Sequence, residues 1–146
     1  MSTHRLRADV TKEALNARGA GYLPGLFGIE IVALEAGNVN ARLAIRPDML
    51  APNGFLHAAT VIALADTCAG YATIAHLPVG SESFTTIELK SNFFATATEG
   101  WLQCVATAVH TGRATQVWDA EVSNEAGKRL ALFRCTQMVL WPKGGN

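Results

Sequence analysis

The segment from His57 to about His76 is the only long helix candidate in the chain, and it constrains the fold more than any other feature. Seven of its residues are alanine, and the others are mainly small or aliphatic. Small residues on most sides of a helix let a sheet pack closely around it. One acid, Asp66, lies within this apolar segment. A carboxylate in such surroundings is costly unless it is paired or used in chemistry.

Six segments with strand-like patterns flank this helix, two before it and four after it. They are expected at 26–35, 39–45, 83–94, 100–110, 114–123 and 128–141. Short turn sequences separate most of them, which predicts antiparallel neighbours. The order of elements therefore predicts an α+β fold, in which an antiparallel sheet of five or six strands wraps round one long central helix.

The 146 residues suit a single domain, 1–146, with its own core. A short helix is expected at about 10–18. The glycine-rich segment 19–25 is interpreted as a connector, because Pro24 interrupts it and no strand precedes it.

Charge and composition exclude several kinds of partner. The formal net charge is zero, so no basic face for nucleic acid is expected. The N-terminus has no apolar stretch typical of a signal peptide, and no run is long enough to span a membrane, which predicts a cytoplasmic protein. Cys68, Cys104 and Cys135 are expected to be buried free thiols. Neither they nor the four histidines have metal-ligand spacing, so no metal site is expected.

The residues at the start of the helix resemble a known family. Gly54-Phe55-Leu56-His57-Ala58-Ala59, with Asp66 eight residues after Ala58, is similar to the pattern of hotdog-fold acyl-CoA thioesterases, especially the phenylacetate-degradation branch. That pattern is Gly-x-x-His-Gly-Gly followed by an aspartate at the same distance. The strand segment 86–93 and the hairpin at Gly112-Arg113 also resemble the family, and the resemblance covers residues 26–140.

The resemblance implies hydrolysis of acyl-CoA thioesters to a carboxylic acid and CoA. The backbone N–H of Ala58 would polarise the carbonyl, Asp66 would act as base or nucleophile, and Thr86 would assist the water. The implied substrate-binding residues are Asn53, Gly54, His57, Ala59, Gly112 and Arg113. No metal or cofactor is implied, since CoA is part of the substrate. Alanines replace both family glycines, and Ala51 stands where many relatives have Asn or Gln.

The helix geometry predicts that this chemistry needs two copies of the chain. Ala58 and Asp66 are eight residues apart, which is roughly 12 Å along a helix axis. An oxyanion donor and a base must both lie about 3 Å from one thioester group. Two antiparallel helices across a two-fold axis satisfy this, so a homodimer is required. Apolar outer faces near Trp101 and Trp118 would allow tetramers.

Three alternatives remain open. Asp66 is a purely structural acid if Thr67, Thr86 or a backbone donor at the subunit contact satisfies it. The chain is a non-catalytic acyl-CoA-binding module, a sensor or scaffold, if the alanine replacements abolish turnover. A hydratase of the same fold is disfavoured, because Tyr71 occupies the position where that group has a histidine after the acid.

Overall fold

The computed structural model describes residues 3–144. The elements in chain order are α1 (Lys12–Arg18), α2 (Leu23–Phe27), β1 (Glu30–Glu35), β2 (Asn38–Ala44), a 3-10 turn (Pro47–Met49), α3 (Ala58–Ala75), β3 (Ser83–Phe93), β4 (Trp101–Thr111), β5 (Thr115–Asn124) and β6 (Arg129–Leu140). The predicted long helix is therefore confirmed as α3, with His57 as its N-cap and His76 as its C-cap.

The six strands form one sheet in the order β1-β2-β4-β5-β6-β3. All neighbouring strands in it are antiparallel. β3 follows α3 in the chain but pairs with β6, so it forms one edge of the sheet. This confirms the predicted α+β fold with an antiparallel sheet around one long helix.

α3 packs against the inner face of the sheet, and small side chains allow the close approach. Alternate residues of the strands point inward and are buried against it. Among them are Val39, Ala41, Leu43, Leu102, Cys104, Ala106, Trp118, Ala120, Val122, Phe133 and Cys135. The three cysteines are buried and free, as predicted.

α3 is long and apolar enough, by length and composition, to cross a membrane. The expectation that no segment would meet this criterion is therefore wrong. More than half of the helix is buried within the protein. The apolar composition of α3 thus follows from its place at the centre of the sheet.

The predicted strand at 26–35 begins too early, and the interpretation of 19–25 as a connector is also wrong in part. Leu23–Phe27 forms the short helix α2, so β1 starts only at Glu30. Pro24 lies in the first turn of α2, where its missing N–H is not needed. Gly28 ends the helix with a left-handed φ of 67°. The alternation of apolar residues before Glu30 therefore does not belong to a strand.

The C-terminal end of α3 lies in a hydrogen-bonded group that we call the closed cluster: Gly37, Ala72, His76, Gln116 and Trp118. His76 Nδ1 donates to the Ala72 carbonyl (2.7 Å), and its Nε2 accepts from the Gly37 N–H (2.9 Å). Gln116 Nε2 donates to the His76 carbonyl (3.0 Å), and Gln116 Oε1 accepts from Trp118 Nε1 (2.9 Å). Every polar side-chain nitrogen and oxygen in this cluster has a partner.

The closed cluster also corrects the predicted surface for tetramer formation. Trp118 is fully buried and cannot contribute to an outer face. Trp101 is 36% exposed, and the guanidinium of Arg42 lies over its ring at 4.4 Å. Only Trp101 of the two tryptophans lies at the surface.

Candidate active site

A compact loop leads into α3 and fixes where the helix begins. The Met49 carbonyl accepts from the His57 N–H (3.2 Å) and from the Thr60 hydroxyl (2.8 Å). Gly54 has a φ of +87°, which favours glycine. Asn53 Oδ1 accepts from the Phe55 N–H (3.2 Å). Asn53 and Gly54 therefore shape the turn that presents the N-terminus of α3.

His57 caps α3 and leaves one backbone donor free. Its Nδ1 accepts from the Ala59 N–H (2.9 Å), and its carbonyl accepts from the Thr60 N–H (2.9 Å). The N–H of Ala58 has no hydrogen-bond partner among residues 3–144. This N–H lies at the positive end of the helix dipole, where an anionic oxygen is stabilised.

Ala58 lines an open, mostly apolar pocket of about 400 Å³. The other lining residues are Phe55, Leu56, Val61, Phe93, Ala95 and Thr96. The Thr96 hydroxyl accepts from the Leu56 N–H (2.9 Å), so the pocket wall is tied to the loop before α3. A thioester carbonyl at Ala58 would therefore have room for an apolar group beside it.

Asp66 lies in the middle of α3 with an unsatisfied carboxylate. Its Oδ1 is buried and has no hydrogen-bond partner among the described residues. Burial raises the pKa of Asp66 above its ordinary value. No hydrogen bond from Thr67, Thr86 or a backbone N–H satisfies this oxygen. Within one chain, the described residues thus do not supply the partner that a purely structural role would require, so only a donor at the subunit contact would give Asp66 such a role.

Thr86 lies on the side of β3 that faces α3. It pairs across the strands with Gln137, which is fully buried on β6. Phe84, the inward-facing residue of β3 two positions before Thr86, lies against Gly70. Gly70 is one helical turn after Asp66. Thr86 is displaced from Phe84 towards the N-terminal half of α3. It therefore lies level with the part of α3 that carries Asp66, although no hydrogen bond joins the two.

Gly112 and Arg113 lie far from Ala58 of the same chain. The guanidinium of Arg113 stacks over the Trp141 ring at 4.1 Å, and Trp141 Nε1 donates to the Arg113 carbonyl (3.0 Å). Both residues line a second pocket of about 700 Å³ near the C-terminal end of α3, an element about 27 Å long. One chain therefore does not bring the predicted hairpin residues to the helix N-terminus.

Two contributions were missed by the sequence analysis. The N-terminal segment adds Arg5 and Arg7 to the pocket of Arg113, although Arg7 is paired with Asp9 at 2.8 Å. Gln137 lies buried beside Thr86. The alternation of β6 places position 137 on the inward face with Cys135 and Val139, so a polar residue at this position was a signal that sequence reasoning could have used.

Asp66, Thr86 and Gln137, with the free N–H of Ala58, form what we call the open cluster. Its buried Asp66 Oδ1 and Gln137 Oε1 have no partner among the described residues. Hydrolysis of a thioester can use a backbone donor at a helix N-terminus to hold the oxyanion and a carboxylate as base, but within one chain these two groups lie roughly 12 Å apart along α3.

Comparisons with known proteins agree with this chemistry. The family model of the thioesterase superfamily matches residues 53–131. A 1,4-dihydroxy-2-naphthoyl-CoA hydrolase of Listeria monocytogenes is 31% identical over 113 residues, which cover 77% of this chain and 91% of that protein.

Two solved structures share the fold. A thioesterase of Pseudomonas aeruginosa has a TM-score of 0.87 at 27% identity, covering 92% of this chain and 97% of that one. The PaaI protein of Escherichia coli, from a phenylacetic acid degradation operon, has a TM-score of 0.77 at 24% identity. The match covers 92% of this chain and 96% of that one, and at this identity it shows the fold alone. The chain belongs to the thioesterase superfamily, has the hotdog fold and is an enzyme of the thioester-hydrolase class.

Proposed function

We propose that this enzyme hydrolyses acyl-CoA thioesters to a free carboxylic acid and CoA, at sites formed between two copies of the chain. The observation that carries the proposal is the free N–H of Ala58 at the N-terminus of α3, in a residue that lines an apolar pocket. Alanine keeps the N–H that the family glycine provides, so the replacement leaves the donor in place. His57 and Ala59 hold this donor in position through the N-cap hydrogen bond.

In the proposed reaction, the carbonyl oxygen of the thioester accepts from Ala58 and Asp66 activates water or attacks directly. Burial raises the pKa of Asp66, which brings it nearer to neutral pH and makes the carboxylate a stronger base. Thr86 faces the same side of the sheet and would assist the water. The base and the oxyanion donor are both protein groups, so the proposal requires no metal or cofactor.

A partly exposed stripe along α3 supports the homodimer. Its members recur at helical spacing; the first is exposed, and the others are only half covered by the chain's own sheet. They are Ala59, Ile62, Ala63, Asp66, Thr67, Tyr71 and Ile74. A second α3 packed antiparallel on this stripe, with Ile62 near the two-fold axis, would place the Ala58 of one copy opposite the Asp66 of the other. The free edge of β3 offers a further surface to the same partner.

The same arrangement gives Gly112 and Arg113 a role. In an antiparallel dimer the C-terminal end of one α3 lies alongside the loop that precedes α3 of the partner. Arg113 would then lie on the side where CoA leaves the partner's pocket, and its charge would suit a CoA phosphate. Asn53 and Gly54 would border the same channel, since they form the loop before α3.

A panel of acyl-CoA substrates tests the proposed activity. Short-chain, medium-chain and aromatic thioesters should be included, with 1,4-dihydroxy-2-naphthoyl-CoA because a relative is a hydrolase of that name. Release of free thiol is measured for the parent and for Asp66→Asn. We expect the parent to turn over at least one substrate class. The turnover of the Asp66→Asn variant should be lower than that of the parent by a factor of about 10² or more. Tight binding without thiol release would contradict the proposal and favour a sensor or scaffold.

A further inference from the structure

Gln137 is a buried polar side chain that the proposed mechanism does not use. It is fully buried in β6. Its Nε2 makes a long contact with Cys135 Sγ (3.5 Å), and its Oε1 has no partner among the described residues. A buried amide oxygen without a donor is unfavourable, because the group has lost its hydrogen bonds to water.

A neighbouring glutamine in the same sheet has hydrogen-bond partners for both its amide nitrogen and its amide oxygen. Gln116 of β5 is the cross-strand partner of Gln137 and is equally buried. Its amide bonds the Trp118 indole and the His76 carbonyl, so both ends of the side chain are used within the protein. The two side chains have the same chemistry and neighbouring places, and only that of Gln137 has an oxygen left for another group.

Two observations place this oxygen in the same part of the sheet as the candidate base. Gln137 pairs with Thr86, one inward-facing step from the Phe84 side chain that lies against Gly70, and Asp66 is one helical turn before Gly70. Burial, and after it the charge of Asp66, raises the pKa of the Cys135 thiol to about 12, so Asp66 lies within electrostatic reach of the thiol that Gln137 contacts. Asp66 Oδ1 and Gln137 Oε1 are therefore two buried acceptors in one region, and neither reaches a protein donor.

We propose that Gln137 is a positioning residue for the hydrolysis: its Oε1 and the Asp66 carboxylate together hold and orient the attacking water. A water molecule has two O–H donors, one for each oxygen, and its lone pair is then directed at the thioester carbon. This role rests on the proposed function, with Asp66 acting as general base.

The step balances as follows. The water oxygen forms a bond to the carbonyl carbon while its O–H proton passes to Asp66, and the carbonyl electron pair moves to the oxygen bound at the partner's Ala58. Collapse of this intermediate breaks the C–S bond, and the CoA thiolate takes the proton from Asp66. The second O–H of the water keeps its hydrogen bond to Gln137 Oε1 during the attack, so Gln137 gains and loses no proton.

Gln137→Met tests the role, because methionine has a similar volume but no acceptor oxygen of this kind. We expect kcat to fall about tenfold or more with KM within about threefold of the parent. The melting temperature should equal or exceed that of the parent, since an unsatisfied oxygen is removed. The matched control is Gln116→Met, which should lower the melting temperature and leave kcat of the folded enzyme within about twofold.

A high-resolution crystal structure of the parent provides the second measurement, should Gln137→Met not fold. A water within hydrogen-bond distance of both Gln137 Oε1 and Asp66 is the expected result, and a direct protein donor to Gln137 Oε1 would overturn the role. An active parent whose Gln137→Met variant keeps the full kcat would overturn it as well, with the thioesterase proposal intact. A parent that releases no thiol from any acyl-CoA would overturn both.

Discussion

The closed cluster at the C-terminal end of α3 and the open cluster along its first half are both polar, yet they differ in how many of their groups have hydrogen-bond partners. The closed cluster is buried, whereas the open cluster combines the buried Gln137 and the half-buried Asp66 with the exposed Ala58 and Thr86. In the closed cluster, His76, Gln116 and Trp118 use their side-chain donors and acceptors within the protein. In the open cluster, the Ala58 N–H and the Asp66 carboxylate have no partner among the described residues. A buried polar group without a hydrogen-bond partner lowers the free energy of unfolding. A fold retains such a group where another molecule supplies the missing hydrogen bond.

The largest effect is expected from Asp66→Asn in the open cluster. Burial raises the pKa of Asp66, so the folded state binds this proton more readily than the unfolded chain does. The contribution of this group to stability is therefore complete below its ordinary pKa of 3.8 and is lost as the pH rises through the raised folded pKa, and an amide, which carries no charge to bury, should raise the melting temperature. Turnover should fall by about 10² or more. Thermal unfolding and thiol release measure the two effects, and a variant with near-normal turnover would remove Asp66 from the mechanism.

Ala58→Pro deletes the second unsatisfied group. Proline suits the first position of a helix, and the extended His57 that precedes it (φ −65°, ψ 133°) tolerates a following proline. We expect a folded variant with kcat lowered by about 10², because one oxyanion donor is lost. Ala58→Gly is the matched control, since it keeps the N–H and should stay within about threefold. Parental hydrolysis by a folded Ala58→Pro variant would show that this N–H does not hold the oxyanion.

His76→Phe breaks the closed cluster. It leaves the Gly37 N–H and the Ala72 carbonyl without their side-chain partner in the interior. The free energy of unfolding should fall by about 2 to 4 kcal/mol, measured by urea denaturation. The kcat of the folded fraction should not change. If His76→Phe lowered kcat as strongly as it lowered stability, the two clusters would not be functionally separate.

The closed cluster should also respond to acid. Burial lowers the pKa of His76 below its ordinary value of 6.5, and the neutral ring is required to accept from Gly37. The contribution of this ring to stability is thus complete above about pH 6.5 and is lost as the pH falls through the lower folded pKa. The urea midpoint is measured at about pH 7.5 and at about pH 5.5. The decrease in the midpoint between these two pH values should be larger for the parent than for His76→Phe. Equal acid sensitivity of the two proteins would exclude His76 as the titrating group.

The smallest effect is expected from Arg113→Ala. We expect KM to rise about threefold to tenfold with kcat nearly unchanged, because an exposed phosphate contact contributes to binding and not to the reaction. Arg129→Ala is the control: this arginine pairs with Glu121 and begins β6 opposite Ser123, near the other end of β5 from Arg113. Initial rates at varied acyl-CoA concentration measure both variants. An unchanged KM for Arg113→Ala would remove the predicted phosphate contact.

Much of the fold was readable from the sequence because its periodicities are strong. The alternation of Val39, Ala41 and Leu43 matches their burial in β2, and the alanine-rich segment is α3 within a residue or two at each end. α2 was missed because five residues are too few for a helical period to show. Trp118 was placed on an outer face because strand alternation alone does not say which face is inside.

The candidate site was only partly readable. Ala58 and Asp66 follow from the spacing around His57, but the free N–H depends on the cap geometry, which brings Nδ1 to Ala59 and not to Ala58. The strand alternation of β6 marks Gln137 as a polar residue on an inward face, but its place beside Thr86 follows only from the pairing of β3 with β6. The cytoplasmic location, the homodimer and the lack of a nucleic-acid partner stay predictions.

Co-expression of Ala58→Pro chains with Asp66→Asn chains tests most directly whether each site takes its donor and its base from different copies. In a mixed dimer, one site would carry both substitutions and the other neither. Two variants that are each nearly inactive should together regain about a quarter of the parental activity, since about half of the dimers are mixed and each has one intact site. No recovery in dimers shown to be mixed would mean that Ala58 and Asp66 do not act on one thioester across the interface.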